Sequence, residues 1–304
     1  MCGIVGMLIR EPKLRPKLGR LVRPMFECMG ARGPDSGGFA VFASPEDRGE
    51  KQASSARRFN IYAPSREYDW SALAGQFKAQ TGAAVDVSAI ENHGVLVSTL
   101  EPLKLRTWLV KFDPSLHLLS VGRSIDVFKD VGHPTELAQR YRFDDIAGSH
   151  AIGHTRMATE SDVTPAHCHP FTAGEDFCLV HNGSLSNPYS IRRRLEKFGI
   201  HFETDNDTEA ACRFLEWKMR DGLSLEAAIH ESFAELDGFY TLLMATADRL
   251  VLVRDAFACK PAVVAEHPDY VAISSEFRSL AHLPGIEDAK LFEPHPEEIY
   301  AWQV

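Results

Sequence analysis

The feature that most constrains this chain is where its first strand begins. Residues 3–9 read Gly-Ile-Val-Gly-Met-Leu-Ile, and Arg10 ends the run. A run of this length, apolar throughout and rich in β-formers, predicts a buried strand. Termini ordinarily fray unless something ties them down. A buried strand starting at the third residue ties this one into a core, so Cys2 is predicted to stand at a fixed place.

Residues 16–30 follow as a helix, with Leu18, Leu21, Val22, Met25, Phe26 and Met29 at helical spacing. A glycine-rich turn (30–38) leads into a strand at 39–43. A helix near 69–80 and a strand at 94–99 are expected beyond it, while residues 103–128 fit either state. We take about 50–135 as an insertion on the main layers of a single domain spanning 2–304. From residue 150 the pattern sharpens into a strand with a polar loop (149–159) and a strand with an Asn182-Gly183 turn (177–187). Helices at 189–198, 207–220 and 224–235 come next, then short strands at 239–246, 250–254, 262–266, 270–274 and 298–302. Strands, then helices, then strands predict stacked layers with antiparallel sheets, not a doubly wound parallel sheet.

Charge and cysteine usage exclude several classes. Asp and Glu outnumber Lys and Arg by 42 to 33. That balance argues against nucleic acid as a partner, because polyanion binders cluster basic residues. None of the six cysteines lies in a C-x-x-C pair, which argues against a metal or iron–sulfur site in this chain. The N-terminal apolar run is too short for a membrane span and lacks the basic flank of a secretory signal, so cytoplasmic residence is expected.

Five stretches carry candidate chemistry. Removal of Met1 would leave Cys2 with a free α-amino group on the nucleophile residue itself. An α-amine titrates at about 7.7–8.0 and a thiol at about 8.5, so the amine can serve as base to its own thiol. Arg32 sits in a Gly- and Pro-rich turn able to approach another backbone closely. Arg156, where a strand gives way to a loop, can hold a carboxylate in bidentate fashion or form a surface ion pair, and Thr159 can add a hydroxyl. Asn182-Gly183 is first a hairpin signal, and alternatively an oxyanion hole built from a side-chain amide and a backbone N–H. Asp207, in the acidic run 205–209, reads as helix N-cap chemistry or as an ammonium-binding carboxylate.

In this order the stretches resemble the class II glutamine amidotransferase family. The matches are Cys2-Gly3-Ile4-Val5-Gly6, Arg32-Gly33 with Asp35-Ser36-Gly37-Gly38, Gly153-His154-Thr155-Arg156, Val180-His181-Asn182-Gly183 and Asp207-Thr208-Glu209. Arg254-Asp255, Lys260-Pro261 and Ser274-Ser275-Glu276 look like the closing strands of the same domain. The resemblance implies an α+β fold, a four-layer αββα sandwich of two antiparallel sheets of the N-terminal-nucleophile hydrolase type. It implies that Cys2 attacks the side-chain amide of L-glutamine and that Asn182 and Gly183 form the oxyanion hole. Arg156 and Thr159 would hold the α-carboxylate, Asp207 the α-ammonium, and Arg32 would sit beside the nucleophile. Met157 stands where family members often carry an aromatic, and Glu160 where His or Gly is commoner. Arg32 and Arg156 lie 124 positions apart, which the insertion explains.

Size and insertion look most similar to stand-alone glutaminase subunits of glutamate-synthase-like complexes, such as N-methylglutamate synthase. That likeness implies a separate ammonia-accepting synthase subunit, with no cofactor here and flavin and iron–sulfur groups on partner subunits. Two other readings stand beside it: a hydrolase of γ-glutamyl amides or peptides, and a non-catalytic assembly subunit.

Overall fold

The computed structural model describes residues 2–50, 55–157 and 163–304. Two antiparallel sheets lie face to face with a helical layer on each outer side. The first sheet has seven strands, ordered Lys290–Phe292, Val263–Glu266, Tyr270–Ser274, Gly3–Ile9, His150–Arg156, Ser36–Phe42 and Ile125–Val131. The second has five: Tyr300–Gln303, Arg249–Arg254, Gly238–Thr246, Phe177–Leu185 and Phe171–Thr172.

The strand Gly3–Ile9 lies at the centre of the first sheet, between Tyr270–Ser274 and His150–Arg156. Every one of its residues is buried, because a strand sandwiched by a helix layer and a second sheet has no wet face. Alternation sends Val5, Met7 and Ile9 toward Val22, Met25 and Phe26 of the helix Leu18–Cys28. Ile4 and Leu8 point the other way, to Val180, Leu243 and Leu252 of the second sheet. Gly6 is where the sheets approach most closely on this strand, since a Cβ there would lie 2.7 Å from Leu243 Cδ2. On the far side, helices Pro188–Glu196, Asp207–Arg220 and Leu225–Phe233 cover the five-stranded sheet, with Leu195, Phe214 and Ile229 on Leu179, Leu242 and Met244. The layers are therefore α, β, β, α, as the resemblance implied.

Residues 57–122 form a further four-stranded sheet, ordered Val85–Ile90, His93–Ser98, Arg57–Tyr62 and His117–Gly122. With helices Trp70–Thr81 and Pro102–Phe112 the order is βαββαβ, and the first and third strands are central, as in a ferredoxin-like unit. Its first strand shows why it folds against the main body. Phe59 and Ile61 face its own core with Trp70, Phe77 and Leu105. Arg58 and Asn60 face Ile125–Val131: the Arg58 guanidinium grips Asp126 in two bonds of 2.9 and 3.0 Å, and the Asn60 amide bridges Ile125 O and Val127 N.

The additional sheet stops at Gly122, short of the expected boundary near 135. Ile125–Val131 pairs with Ser36–Phe42 throughout, and the following helix Pro134–Arg140 buries Leu137 and Ala138 in the first helical layer. Residues 103–128, which fitted either state, divide into a helix to Phe112 and two strands. Among the described residues no helix is long and apolar enough to cross a membrane.

The contact between Gly6 and Leu243 gives a coupled expectation. Leu243→Ala should cost about 2–5 kcal/mol in urea unfolding, and Gly6→Ala about 1–3 kcal/mol from overpacking. Combined, they should cost less than the sum, because the added methyl occupies space the shortened side chain leaves. Strict additivity would show that the two sheets do not meet there.

Candidate active site

Cys2 stands at the mouth end of the central strand and is held by its backbone. Its carbonyl accepts a 2.9 Å bond from Arg32 Nε, and the same guanidinium reaches Glu276 Oε1 at 2.8 Å. Two residues on, Ile4 and Ser275 exchange backbone and side-chain bonds, with Ile4 N to Ser275 Oγ at 3.0 Å and Ser275 N to Ile4 O at 3.0 Å. Arg32 therefore lies behind the cysteine; it is not among the side chains that line the cavity in front of it.

That cavity has a volume of about 530 Å³ and is lined by Cys2, Arg156, Met157, Gly183 and Asp207 among others. Arg156 ends the neighbouring strand His150–Arg156 and is largely buried. Met157 follows it and is 46% exposed. Thr159 and Glu160 lie outside the described residues.

The second sheet supplies the opposite wall. The strand Phe177–Leu185 runs straight through Asn182-Gly183, paired residue for residue with Gly238–Thr246. The hairpin expected from Asn-Gly does not form. Gly183 instead has φ 148°, and a Cβ there would lie 1.9 Å from Phe239 O, so the glycine serves a close backbone approach within a continuous strand. Asn182 is buried, and its Nδ2 has no hydrogen-bond partner among the described residues. Such a donor is uncommon in a folded protein and marks a place where a ligand can be met.

Asp207 opens the helix Asp207–Arg220, while the N-cap role falls to Asn206, whose side chain accepts from Thr208 N at 2.9 Å. Asp207 Oδ2 accepts from Leu185 N at 2.9 Å, which ties the helix start to the end of the strand that carries Asn182. Burial raises the Asp207 carboxyl, but His181 at 3.7 Å, the Leu185 N–H and the Thr208 hydroxyl outweigh it and hold it at about 2. The cavity thus presents a guanidinium and an ionised carboxylate together, the complement of a zwitterion.

Three buried histidines, His154, His169 and His181, also line the cavity. Burial is the main cause that drops His154 to about 3 and His169 well below the ordinary histidine range, so both are neutral. None of the three stands out in the sequence as a candidate catalytic residue. His154 and His181 sit inside matched stretches, but His169 lies in a loop whose only local signal is the following proline. Among the described residues no group of three or more His, Cys, Asp or Glu is placed to hold a metal ion.

A depressed carboxyl is ionised with the fold's help, so its contribution is full above the unfolded value and disappears as pH falls through about 2. Between pH 5 and pH 2, wild type should lose more stability than Asp207→Asn, by on the order of 2 kcal/mol. Parallel urea midpoints over that range check this, and identical slopes would mean that Asp207 is not held down by its neighbours.

Residues 154–282 match a family model described as a glutamine amidotransferase domain. The chain is 41% identical over 303 residues to the glutamine amidotransferase-like protein GlxB of Rhizobium meliloti (strain 1021), covering 99% of this chain and 98% of that one. It is 31% identical over 307 residues to a putative glutamine amidotransferase of Methanothermobacter thermautotrophicus, covering 99% of both. Among solved structures, the glutamine phosphoribosylpyrophosphate amidotransferase from B. subtilis shares the fold, with a TM-score of 0.62 at 19% identity. That alignment takes in 99% of this chain but 47% of the other, so this chain spans about half of that enzyme.

Proposed function

The chain belongs to the class II glutamine amidotransferase family, and on that premise we propose that it hydrolyses L-glutamine through a thioester on Cys2 and hands the ammonia to a separate synthase subunit. The observation that carries this reading is the position of Cys2, at the head of the fully buried strand and on the cavity shared with Arg156 and Asp207.

With Met1 removed, the α-amine of Cys2 would take the thiol proton, directly or through a water. The thiolate would attack the side-chain amide carbon of glutamine, giving a tetrahedral oxyanion. Asn182 Nδ2 and Gly183 N–H would bind that oxygen. In support, Nδ2 is buried and has no hydrogen-bond partner among the described residues, beside a glycine of unusual φ. The α-ammonium would return its proton to the leaving nitrogen, so that ammonia departs and a thioester remains. Water would then add to the thioester, restoring the thiol and freeing glutamate. Arg156, with Thr159, would hold the α-carboxylate and Asp207 the α-ammonium; Met157 would contact substrate through its backbone. Arg32 would fix the Cys2 carbonyl and through it the direction of the nucleophile.

Apolar surface at the mouth supports a separate acceptor. Tyr189 lines the cavity yet is 69% exposed. Phe239 lies opposite Ser184, another lining residue, and packs on Phe257 at 5.4 Å, with both rings exposed. Exposed patches of this kind mark protein–protein contacts. In our reading the acceptor is of glutamate-synthase-like type and carries the flavin and iron–sulfur groups.

Two measurements test the chemistry. In a preparation whose intact mass shows Met1 removed, Cys2→Ala should abolish glutamate release from glutamine while leaving the thermal unfolding transition in place. Substantial activity in that variant would move the nucleophile elsewhere. Asn182→Ala should lower kcat by roughly 10²–10³ if its amide meets the oxyanion; a rise in KM with kcat intact would place it in ground-state binding instead.

A further inference from the structure

The strand Ile125–Val131 ends the seven-stranded sheet, and its outer edge is closed by side chains instead of a further strand. The Asn60 amide accepts from Val127 N and donates to Ile125 O, and His93 Nε2 accepts from Lys129 N at 3.3 Å. Both side chains come from the ferredoxin-like unit of residues 57–122. A strand edge left unpaired is a template for stray pairing, so this cover has a structural reason. Burial drops His93 to about 4, so its ring is neutral. Its Nε2 receives an N–H and is bare, and its Nδ1–H faces Asn92 Oδ1 at 3.0 Å. The unit thus holds the backbone of Lys129.

The side chain of Lys129 continues the connection. It is buried, its ammonium lies 5.0 Å over the Phe171 ring, and it donates to the carbonyls of Cys168 at 3.2 Å and Pro170 at 3.4 Å. A buried lysine carries a desolvation cost that an apolar chain of the same length would not. What it adds here is a pair of donors, one on each side of His169. Beyond that loop, Phe171 pairs opposite Leu179 and Thr172 opposite Cys178. The same register, continued, sets His169 opposite His181. Pro170 has no N–H to carry the ladder on. The His169 ring takes over: Nδ1 accepts from His181 N at 3.2 Å, and the ring stacks on His154 at 4.0 Å. The backbone beside Asn182 is therefore pinned on one edge by Gly238–Thr246 and on the other by His169.

We propose that Lys129 is a positioning residue for glutamine hydrolysis: by holding the loop around His169 it sets the backbone of His181, and with it the Asn182 amide and Gly183 N–H that would meet the oxyanion. The ferredoxin-like unit is part of the same assignment, because His93 holds Lys129. The assignment rests on the glutaminase reading above. Arg156 and Asp207 stand outside this line, one at the end of His150–Arg156 and the other tied to Leu185 N. Loss of the lysine therefore acts on the chemical step and spares substrate binding. A displacement of about 1 Å at reacting groups can cost about 10²-fold in rate.

The test uses the full chain with Met1 removed and L-glutamine as substrate. Lys129→Met keeps the length of the side chain and removes its donors. It should lower kcat about tenfold or more, with KM changed less than about threefold. Lys129→Arg restores donors, and the adjoining cavity of about 80 Å³ leaves room for the larger head, so it should recover part of the loss. His93→Phe should lower kcat in the same sense, and His93→Gln, which keeps an acceptor, should relieve it. In 15N-labelled wild type, a scalar coupling across the hydrogen bond should join the His181 amide nitrogen to His169 Nδ1, and Lys129→Met should weaken it. A kcat within about twofold of an active wild type in folded Lys129→Met overturns this assignment alone. So does a loss that Lys129→Arg leaves untouched, or one carried by KM. A wild-type rate in His93→Phe beside a slowed Lys129→Met strikes the ferredoxin-like unit from the assignment. A wild-type spectrum without the coupling overturns the pinned backbone whatever the activity. A wild type that releases no glutamate overturns the glutaminase reading and this assignment with it. If Lys129→Met does not fold, the wild-type spectrum and the His93 pair still decide.

Discussion

Everything at the site hangs on the burial of the strand Gly3–Ile9. A chain terminus has one chain neighbour where an interior residue has two, and it normally keeps its freedom. Here the first strand is paired on both edges and covered on both faces, so the loss of that freedom is offset by apolar burial along its whole length. The terminal residue then inherits its place from the sheet. Arg32 completes the restraint by binding the Cys2 carbonyl from behind and anchoring on Glu276, so the cysteine is fixed by its backbone and its thiol is left to the cavity.

The second sheet stands at a distance set by the side chains between the layers, and its strand Phe177–Leu185 supplies the remaining wall. That strand uses its alternation twice. Cys178 and Val180 fill the space between the sheets, while Leu179 packs under the outer helices. Toward its end, where the layers part, the same alternation delivers polar groups: His181 and Gly183 line the cavity, and Asn182 between them is buried with an Nδ2 that has no partner among the described residues. The bond from Leu185 N to Asp207 joins this strand to the first turn of the following helix, so the Asp207 carboxylate and the strand that carries Asn182 belong to one hydrogen-bonded frame.

The ferredoxin-like unit is joined to this arrangement by polar contacts. Its strand Arg57–Tyr62 meets Ile125–Val131 through Arg58 and Asn60, and His93 accepts from Lys129 N at 3.3 Å. Lys129 Nζ in turn donates to the carbonyls of Cys168 and Pro170, on either side of His169. The inserted unit and the histidines of the cavity are thus in continuous contact through one buried lysine.

Much of this was legible in the chain itself. The run 3–9, the helical spacing of Leu18, Val22, Met25 and Phe26, and the succession of strands and helices after residue 150 are local patterns of hydrophobicity, and local patterns decide which segments bury a face. The residues now gathered around the cavity, Cys2, Arg156, Gly183 and Asp207, were visible as residue types in suggestive settings. What the sequence left undecided is what depends on partners far along the chain. Asn182-Gly183 has the composition of a turn, yet Gly238–Thr246 pairs across it and keeps it a strand. Residues 103–128 divide into helix and strands because their neighbours lie in two different sheets. His169 carries no signal of its own and becomes part of the site only where the His181 backbone and the Thr208 hydroxyl meet its ring. Sequence determined which segments would be strands, helices and candidate chemistry; tertiary structure decided their register and hydrogen-bond partners, because hydrogen bonds between distant residues form only once the layers have packed.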